Sequence, residues 1–146
     1  MEAVAQMFAR VGIKTTLEIV PSAVSSKRAR AGDFSFFLSA WRSGTGDGAN
    51  ALIHGHHSFM PGKRLAAANW GRYNNMTYDK LAEETMTIMD AADREAKTRE
   101  AYAVAMKDHA SIMLHWEANS RASRADLTIE LRKDQFVLAH AIHKVK

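Results

Sequence analysis

Cysteine is absent from the 146 residues of the chain. Disulfide bonds, thiolate metal ligands and cysteine nucleophiles are therefore excluded, but the compartment stays open, because many secreted proteins also lack disulfides. The chain also has no apolar run of about 18 residues, the length that a membrane-spanning helix needs. The opening residues, MEAVAQMFARVG, are typical of an amphipathic helix. The sequence therefore predicts neither a membrane span nor a signal peptide in this chain.

The chain has no large excess of charge of either sign, and basic residues are slightly more numerous than acidic ones. The 20 Lys and Arg residues stand against 16 Asp and Glu, which gives a net charge of +4. The basic residues are scattered except in SSKRARAG and the final HKVK, and the aromatic residues fall in apolar segments. Nucleic acids are bound by basic grooves interleaved with aromatic side chains. We therefore expect a solvated basic face and no nucleic-acid partner.

The composition is that of an ordinary globular domain, with 47% hydrophobic and 25% charged residues. A chain of this length can bury a core without crosslinks or metals. The sequence shows no internal repeat, low-complexity tract or linker. We therefore expect a single domain over residues 1–146.

The first forty residues read as helix, strand, helix, strand. A first helix is expected to stop at Val11, before Gly12. The alternating stretch IKTTLEIV predicts a strand that Pro21 ends, and a short helix follows with Ser22 as N-cap and Gly32 at its end. FSFFLSAW is apolar on both faces, as in a central strand. The simplest connection is a right-handed parallel crossover, so the predicted fold class is α/β, with a small mixed sheet containing a βαβ unit.

The rest of the chain predicts a helical hairpin and further strands. After an irregular segment with a helical patch over 49–54, Thr77 is the expected N-cap of one helix and Asp93 of the next. SIMLHWEA and DQFVLAHAIHKV are expected strands, and LTIEL is another possibility. The predicted core faces of the two helices are Tyr78, Leu81, Ala82, Thr85, Ile88 and Met89, and Ala96, Tyr102, Ala103, Met106 and Ala110.

The glycine-rich loop after the second predicted strand is the candidate binding site. Ligands of open α/β sheets lie at the carboxyl ends of strands, where such loops occur. Trp41 offers a flat face for stacking, Arg42 a bidentate donor for a carboxylate, and Ser43, Thr45 and Asp47 short polar contacts. An alternative stays open at this point. The loop is then a plain turn, with Trp41 a core residue and Asp47 the cap of a helix that begins near residue 49.

Four blocks in order resemble a known family: VAQMFARVGIKTTLEIVP, GDFSFFLSAWRSGTGD, GRYNNMTYDKLAEE and IMLHWEANSRASRADLTI. They are similar to the C-terminal part of the bacterial extracellular solute-binding proteins of family 5, the peptide-binding receptors of ABC importers. The resemblance covers nearly the whole chain. The matching residues are Ala5, Gln6, Gly12, Ile13, Asp33, Phe34, Trp41, Tyr73, Asn75, Asp79 and Leu81.

The resemblance implies a truncated periplasmic-binding-protein-like lobe. Residues 1–124 correspond to much of the second lobe, and residues 125–146 to a tail that returns to the first lobe. It further implies a peptide or peptide-like solute, a periplasmic location, and docking on the membrane subunits of an ABC importer. The loop RSGTGD is closer to branches that bind glutathione or other solutes.

The first lobe and its signal peptide are expected to be missing from this chain. Residues 135–142 would then form an apolar strand with an unpaired edge. Such an edge is covered either by a second copy of the chain or by local refolding. We therefore expect a homodimer or a swapped oligomer.

Enzyme hypotheses find less support in the sequence. His54, His56 and His57 could bind a metal together with His109 or His115, but their spacing fits no zinc signature, and a solvated polar loop is the expected alternative. GTGDG lacks the lysine of a phosphate-binding loop. No nucleophile and base can be paired by spacing. We therefore expect no catalytic residue, no metal and no cofactor. Two alternatives to solute binding stay open. One is an interaction module that binds no solute, and the other, less favoured, is a metal- or phosphate-handling enzyme.

Overall fold

The computed structural model describes residues 1–44, 46–60, 62–63, 65–118, 120–132, 134 and 136–145. These residues form a small mixed α/β protein with five α-helices and one two-stranded antiparallel sheet. By contacts the chain divides into two compact units, Met1–Ala40 and Trp41–Lys146. The elements are α1 (Glu2–Arg10), α2 (Ser22–Ala31), α3 (Ala49–Ala51), a π-turn (Leu52–His56), α4 (Met76–Thr85), α5 (Ala91–Lys107), β1 (Leu127–Ile129), a 3₁₀ turn (Ala139–Ala141) and β2 (Ile142–Lys144).

The two helices of the first unit end where the sequence predicts. Val11 is the C-cap of α1, and Gly12 follows at φ 82°, a conformation that glycine adopts without strain. The carbonyl of Phe8 then accepts a hydrogen bond from the amide of Ile13 at 2.9 Å. Gly32 ends α2 at φ 80°. The start of α2 is shifted by one residue from the prediction, since Pro21 occupies the N-cap position and Ser22 is the first helical residue.

The predicted βαβ unit is wrong for this structure. Residues 13–20 and 34–41 form no strand ladder, although every residue of both segments is described. Alternating apolar residues make a stable strand only when neighbouring strands complete a sheet with a buried face. Here Ile19 stays 85% exposed and Ala29 is the one buried residue among positions 1–40.

Side-chain contacts hold the first unit in place of a sheet. Arg28 donates to Glu18 at 2.6 Å, lies 3.8 Å from the carboxylate of Asp33, and covers the ring of Phe34 at 4.4 Å. These contacts form on the surface and bury little apolar area. A domain has a hydrophobic core of its own, and the first unit does not. The expectation of one domain over residues 1–146 therefore stays a prediction.

The helical hairpin is confirmed in the second unit, where α4 packs on α5. The core joins the π-turn to both helices through Leu52, Ile53, Tyr78, Ala82, Ala101 and Ala105.

The predicted core face of the second hairpin helix is confirmed at Tyr102, Met106 and Ala110, which pack half-buried against the core, and is wrong at its other two residues. Thr98, Ala101 and Ala105 are buried, whereas Ala96 and Ala103 are exposed. Small side chains occupy the line of closest approach, and the larger Tyr102 and Met106 lie half-buried at its edge. On the other helix, the predicted stripe fails at Met89, which is 91% exposed because α4 already ends at Thr85.

Both predicted N-caps of the hairpin are wrong. Asn75 caps α4, and its side-chain oxygen accepts from the amides of Thr77 at 2.9 Å and Tyr78 at 3.1 Å. Asp90 caps α5 in the same way and accepts from the amides of Ala92 and Asp93. Each helix therefore begins two or three residues before the position that the sequence predicted, because several residues in each stretch are acceptable caps.

The last part of the chain pairs locally. β1 and β2 are antiparallel, with Thr128 opposite His143 and Ile129 opposite Ile142. The strand in LTIEL is thus confirmed, and the final strand begins at Ile142, after a 3₁₀ turn. Gln135, the first residue of the predicted apolar strand, lies outside the described residues. The expected strand over SIMLHWEA is wrong, since residues 111–118 form no ladder.

Replacing Asn75 with alanine should destabilise the protein by about 1–2 kcal/mol, because two amide donors lose their acceptor at the start of α4. Thr77→Ala is the matched control and should change stability by less than about 0.5 kcal/mol, since Thr77 is exposed and caps nothing. Urea unfolding followed by circular dichroism measures both. Equal losses from the two variants would contradict the assignment of the cap.

Candidate solute-binding loop

Trp41 lies at the surface of the second unit. Its ring stacks on the imidazole of His54 with centroids 5.6 Å apart and an angle of 29° between the planes. The residue is 44% exposed, so the alternative of a core tryptophan is wrong. The stack holds one side of the indole against the π-turn. A flat apolar surface supported in this way suits a planar or apolar ligand group.

Arg42 follows Trp41 in the chain and pairs with a distant carboxylate. Its Nη2 atom lies 3.7 Å from a carboxylate oxygen of Glu117, and both side chains are more than half exposed. An exposed pair at this distance contributes little to stability. Five N–H donors on one guanidinium can also serve a second carboxylate.

Ser43 and Asp47 are occupied in shaping the loop. The hydroxyl of Ser43 accepts from the amide of Asp47 at 3.1 Å and donates to its carbonyl at 2.8 Å. One carboxylate oxygen of Asp47 accepts from the amide of Ala49 at 2.8 Å. The N-cap of α3 is Gly48, so the alternative that makes Asp47 the cap is wrong by one residue. Thr45 lies outside the described residues, and contact of Ser43, Thr45 or Asp47 with a ligand stays a prediction.

Arg94 anchors this loop from α5. Its Nε donates to the second carboxylate oxygen of Asp47 at 2.6 Å, and its Nη1 donates to the carbonyls of Ile88 and Met89 at 2.9 and 3.1 Å. The amide of Ala49 and then the guanidinium of Arg94 lower the pKa of Asp47. One side chain therefore ties the loop to the connection between α4 and α5. The core face predicted for this helix does not include Arg94, because no local pattern marks a partner 47 residues away.

The three neighbouring histidines enter three different environments. His54 stacks on Trp41, whereas the Nε2 atom of His56 lies 2.9 Å from the hydroxyl of Ser111. His57 is fully buried, with Nε2 3.1 Å from a carboxylate oxygen of Glu83. His54 and His56 belong to the π-turn, whereas His57 follows it at φ −56° and ψ 143°, outside helical geometry. Within the described part of the chain, no group of three His, Asp or Glu side chains could hold a metal ion.

His57 belongs to a buried polar network, and the expectation of a solvated polar loop is wrong for it. Its Nδ1 atom lies 2.8 Å from the carbonyl of Ser58 and 3.7 Å from Asp79. Asp79 in turn accepts from the amide of Ser58 at 2.9 Å. Asn69 donates to the carbonyls of His57 and Tyr73 at 2.9 and 2.8 Å. The irregular chain before α4 is thus held by polar groups that satisfy one another away from water.

Three tyrosine rings surround the imidazole of His56. Tyr73, Tyr78 and Tyr102 make edge contacts with it, at centroid distances of 6.4, 6.1 and 6.4 Å. Burial lowers the pKa of His56 and raises the pKa of all three phenols. Each of these groups is therefore neutral near pH 7. An uncharged imidazole is the form that this apolar enclosure accepts at least cost.

Acidification should destabilise the protein through His56. In the unfolded chain the imidazole takes up a proton as the pH falls through about 6.5, whereas in the folded chain it stays neutral to lower pH. The unfolded state then binds more protons, so the free energy of unfolding falls from about pH 6.5 down to the folded pKa. His56→Gln should reduce that fall, because glutamine can bond Ser111 without titrating.

The measurement is the urea midpoint from about pH 7.5 to about pH 5 for both proteins. His140→Gln is the control and should follow the parent, because His140 is exposed. An unchanged pH dependence in His56→Gln would show that burial of His56 has no such effect.

A double-mutant cycle should reveal coupling between Asp47 and Arg94. Both side chains are less than one third exposed, and the hydrogen bond joins two charged groups, so we expect a coupling of about 1 kcal/mol or more. Glu95 and Arg99 form the control pair, which is mostly exposed and should couple by about 0.3–0.5 kcal/mol. Chemical unfolding gives both values. A coupling for Asp47 and Arg94 no larger than that of the control would contradict the anchor.

None of the helices that the structure describes combines the length and the apolar character needed to cross a membrane. Comparison of the chain with protein-family models, with curated proteins and with solved structures finds no match.

Proposed function

We propose that this chain is a solute-binding component of an ABC importer and supplies the C-terminal portion of its receptor. The observation that supports the proposal is that two consecutive residues of one anchored loop carry an exposed indole and an exposed guanidinium. Trp41 is 44% exposed, and more than half of the side chain of Arg42, the next residue, is in solvent. The blocks that resemble the family 5 receptors contain both residues.

The loop is suited to a solute that carries a carboxylate next to an apolar or planar group. Arg42 would bind the carboxylate through two parallel N–H donors, and the face of Trp41 would cover the neighbouring part of the solute. Ser43, Thr45 and Asp47 are the polar contacts that we propose for the solute. Peptides and peptide-like molecules, glutathione among them, have these groups.

Anchoring of the loop would increase its affinity for the solute. The stack on His54 and the bond from Arg94 to Asp47 fix both ends of the loop before a solute arrives. Less conformational entropy is then lost on binding. In the proposed receptor a second lobe covers the solute from the other side, the location is periplasmic, and the loaded receptor delivers the solute to the membrane subunits of the importer.

A second candidate function is an interaction module that binds no solute. It is favoured by the apolar side chains that stay at the surface in both units, such as Ile19 at 85%, Leu131 at 77% and Trp116 at 98% exposure. Surfaces of this kind commonly contact another protein. Solute-induced stabilisation distinguishes the two functions.

A bound solute should raise the unfolding midpoint. At one hundred times the dissociation constant the gain is about 2.7 kcal/mol. We expect a shift with a member of a panel of short peptides and glutathione, and its loss in Trp41→Ala and Arg42→Gln. Phe59→Ala is the control, because Phe59 is a 71% exposed aromatic residue outside the loop, and it should keep the shift. Thermal unfolding with each compound measures the effect.

The absence of a shift with every compound would favour the interaction module. A shift that survives in Trp41→Ala would place the binding site elsewhere. A shift produced by divalent metal alone would favour the metal-dependent enzyme.

A further inference from the structure

The imidazole of His57 has a hydrogen-bond acceptor next to each of its two nitrogens. Nδ1 lies 2.8 Å from the carbonyl oxygen of Ser58, and Nε2 lies 3.1 Å from Oε1 of Glu83. A backbone carbonyl only accepts hydrogen bonds, so the first contact requires a proton on Nδ1. In a neutral imidazole Nε2 would then carry a lone pair, and this lone pair would point at a carboxylate oxygen.

A lone pair that faces a carboxylate repels it, and water cannot relieve the repulsion at the ring. The side chain of His57 has no exposed surface, whereas that of Glu83 is 48% exposed. The two groups are held against each other, because His57 follows the π-turn directly and Glu83 lies on α4, which packs on that turn. The contact is therefore a hydrogen bond only when a proton lies between Nε2 and Oε1.

The surroundings of the ring favour an additional proton. Within the part of the chain that the structure describes, the ionisable groups against the ring are two carboxylates of α4. Asp79 lies 3.7 Å from Nδ1, and Glu83 follows one helical turn later. The segment before α4 contributes Asn69, which is uncharged and donates to the carbonyl of His57. Neither carboxylate forms an ion pair with a described lysine or arginine, so a positive charge on the ring would be the one that balances them.

We propose that His57 and Glu83 hold one buried proton between them at neutral pH, and that loss of this proton in alkaline solution releases the chain after the π-turn from α4. The proton belongs to the pair, because an imidazolium with a carboxylate contains as many protons as a neutral imidazole with a carboxylic acid. On release the proton passes to solvent at the exposed side of Glu83. The pair then changes from neutral to a single negative charge beside Asp79, and the contact opens. None of these residues belongs to the candidate loop, so the test is independent of solute binding.

Nitrogen-15 NMR of the imidazole rings tests the proton directly. An imidazolium carries a proton on both nitrogens, whereas a neutral ring has one protonated and one bare nitrogen. At about pH 7.5 an ordinary imidazole is mostly neutral. At this pH we expect either an imidazolium at His57 or a His57 protonated on Nδ1 beside a protonated Glu83, which the carbon-13 signal of its carboxyl group identifies.

Glu83→Gln should remove the need for the proton, because the amide of glutamine can donate to a bare Nε2. His57 should then be neutral, with its proton on Nδ1. Glu84→Gln is the matched control. It neutralises the next carboxylate of α4, which pairs with Lys97 at 3.3 Å, and should leave the protonation of His57 unchanged.

Unfolding in urea measures the release of the chain. Above about pH 6.5 an imidazole in the unfolded chain has lost most of its proton, whereas the folded pair keeps it. The folded state then binds more protons, so the free energy of unfolding should fall as the pH rises from about 7 to about 9. The fall should be smaller in Glu83→Gln and should match the parent in Glu84→Gln. This range lies above the one in which His56 acts.

NMR of the parent protein decides the proton even where a variant folds poorly. A neutral His57 beside an ionised Glu83 would overturn the proposal, and so would a His57 protonated on Nε2 alone. An equal fall in stability for the parent and Glu83→Gln would overturn the release of the chain.

Discussion

The hydroxyl of Tyr78 donates to the carbonyl of Leu52 at 3.1 Å, and both residues are fully buried. This bond joins the first helix of the hairpin to the π-turn, and the core of the second unit is assembled around it. The carbonyl of Leu52 also accepts from the amide of His57 at 3.1 Å, and the buried hydroxyl of Tyr78 would cost about 1–3 kcal/mol if it had no acceptor. The positions of His54, His56 and His57 all follow from the turn that this contact holds.

Hydrogen bonds between polar groups hold much of the rest of the second unit. The chain between the π-turn and α4 is held by His57, Asp79 and Asn69, and the start of α4 is joined to the end of α5 through Asp108, which accepts from Tyr73 at 2.7 Å and from Asn75 at 2.6 Å. These bonds hold segments that bury few apolar side chains. Hydrogen bonds likewise hold the candidate loop, where Arg94 donates to Asp47 and to two backbone carbonyls. The apolar side chains that the protein does not bury remain available to a solute, a second copy or another protein.

Local sequence determined the elements whose signals lie within a few residues. The end of α1 at Val11, the glycine that ends α2, the two helices of the hairpin and the strand in LTIEL follow from spacing, glycine conformation and propensity. The loop that carries Trp41 and Arg42 was likewise visible, because glycines after an apolar run mark a turn at the surface.

Tertiary structure decided everything that depends on a distant partner. The strands expected before residue 42 did not form, because a strand needs a neighbour and local alternation supplies none. Asn75 became the cap of α4 instead of Thr77 because it also bonds Asp108 on α5. Arg94 was not part of any predicted core or site and His57 was expected in a solvated loop, and both acquired their roles from groups many residues away. Hydrogen bonds between residues that are distant in the chain, and the burial that accompanies them, produce no periodic pattern in the sequence. They can therefore be identified only in the folded structure.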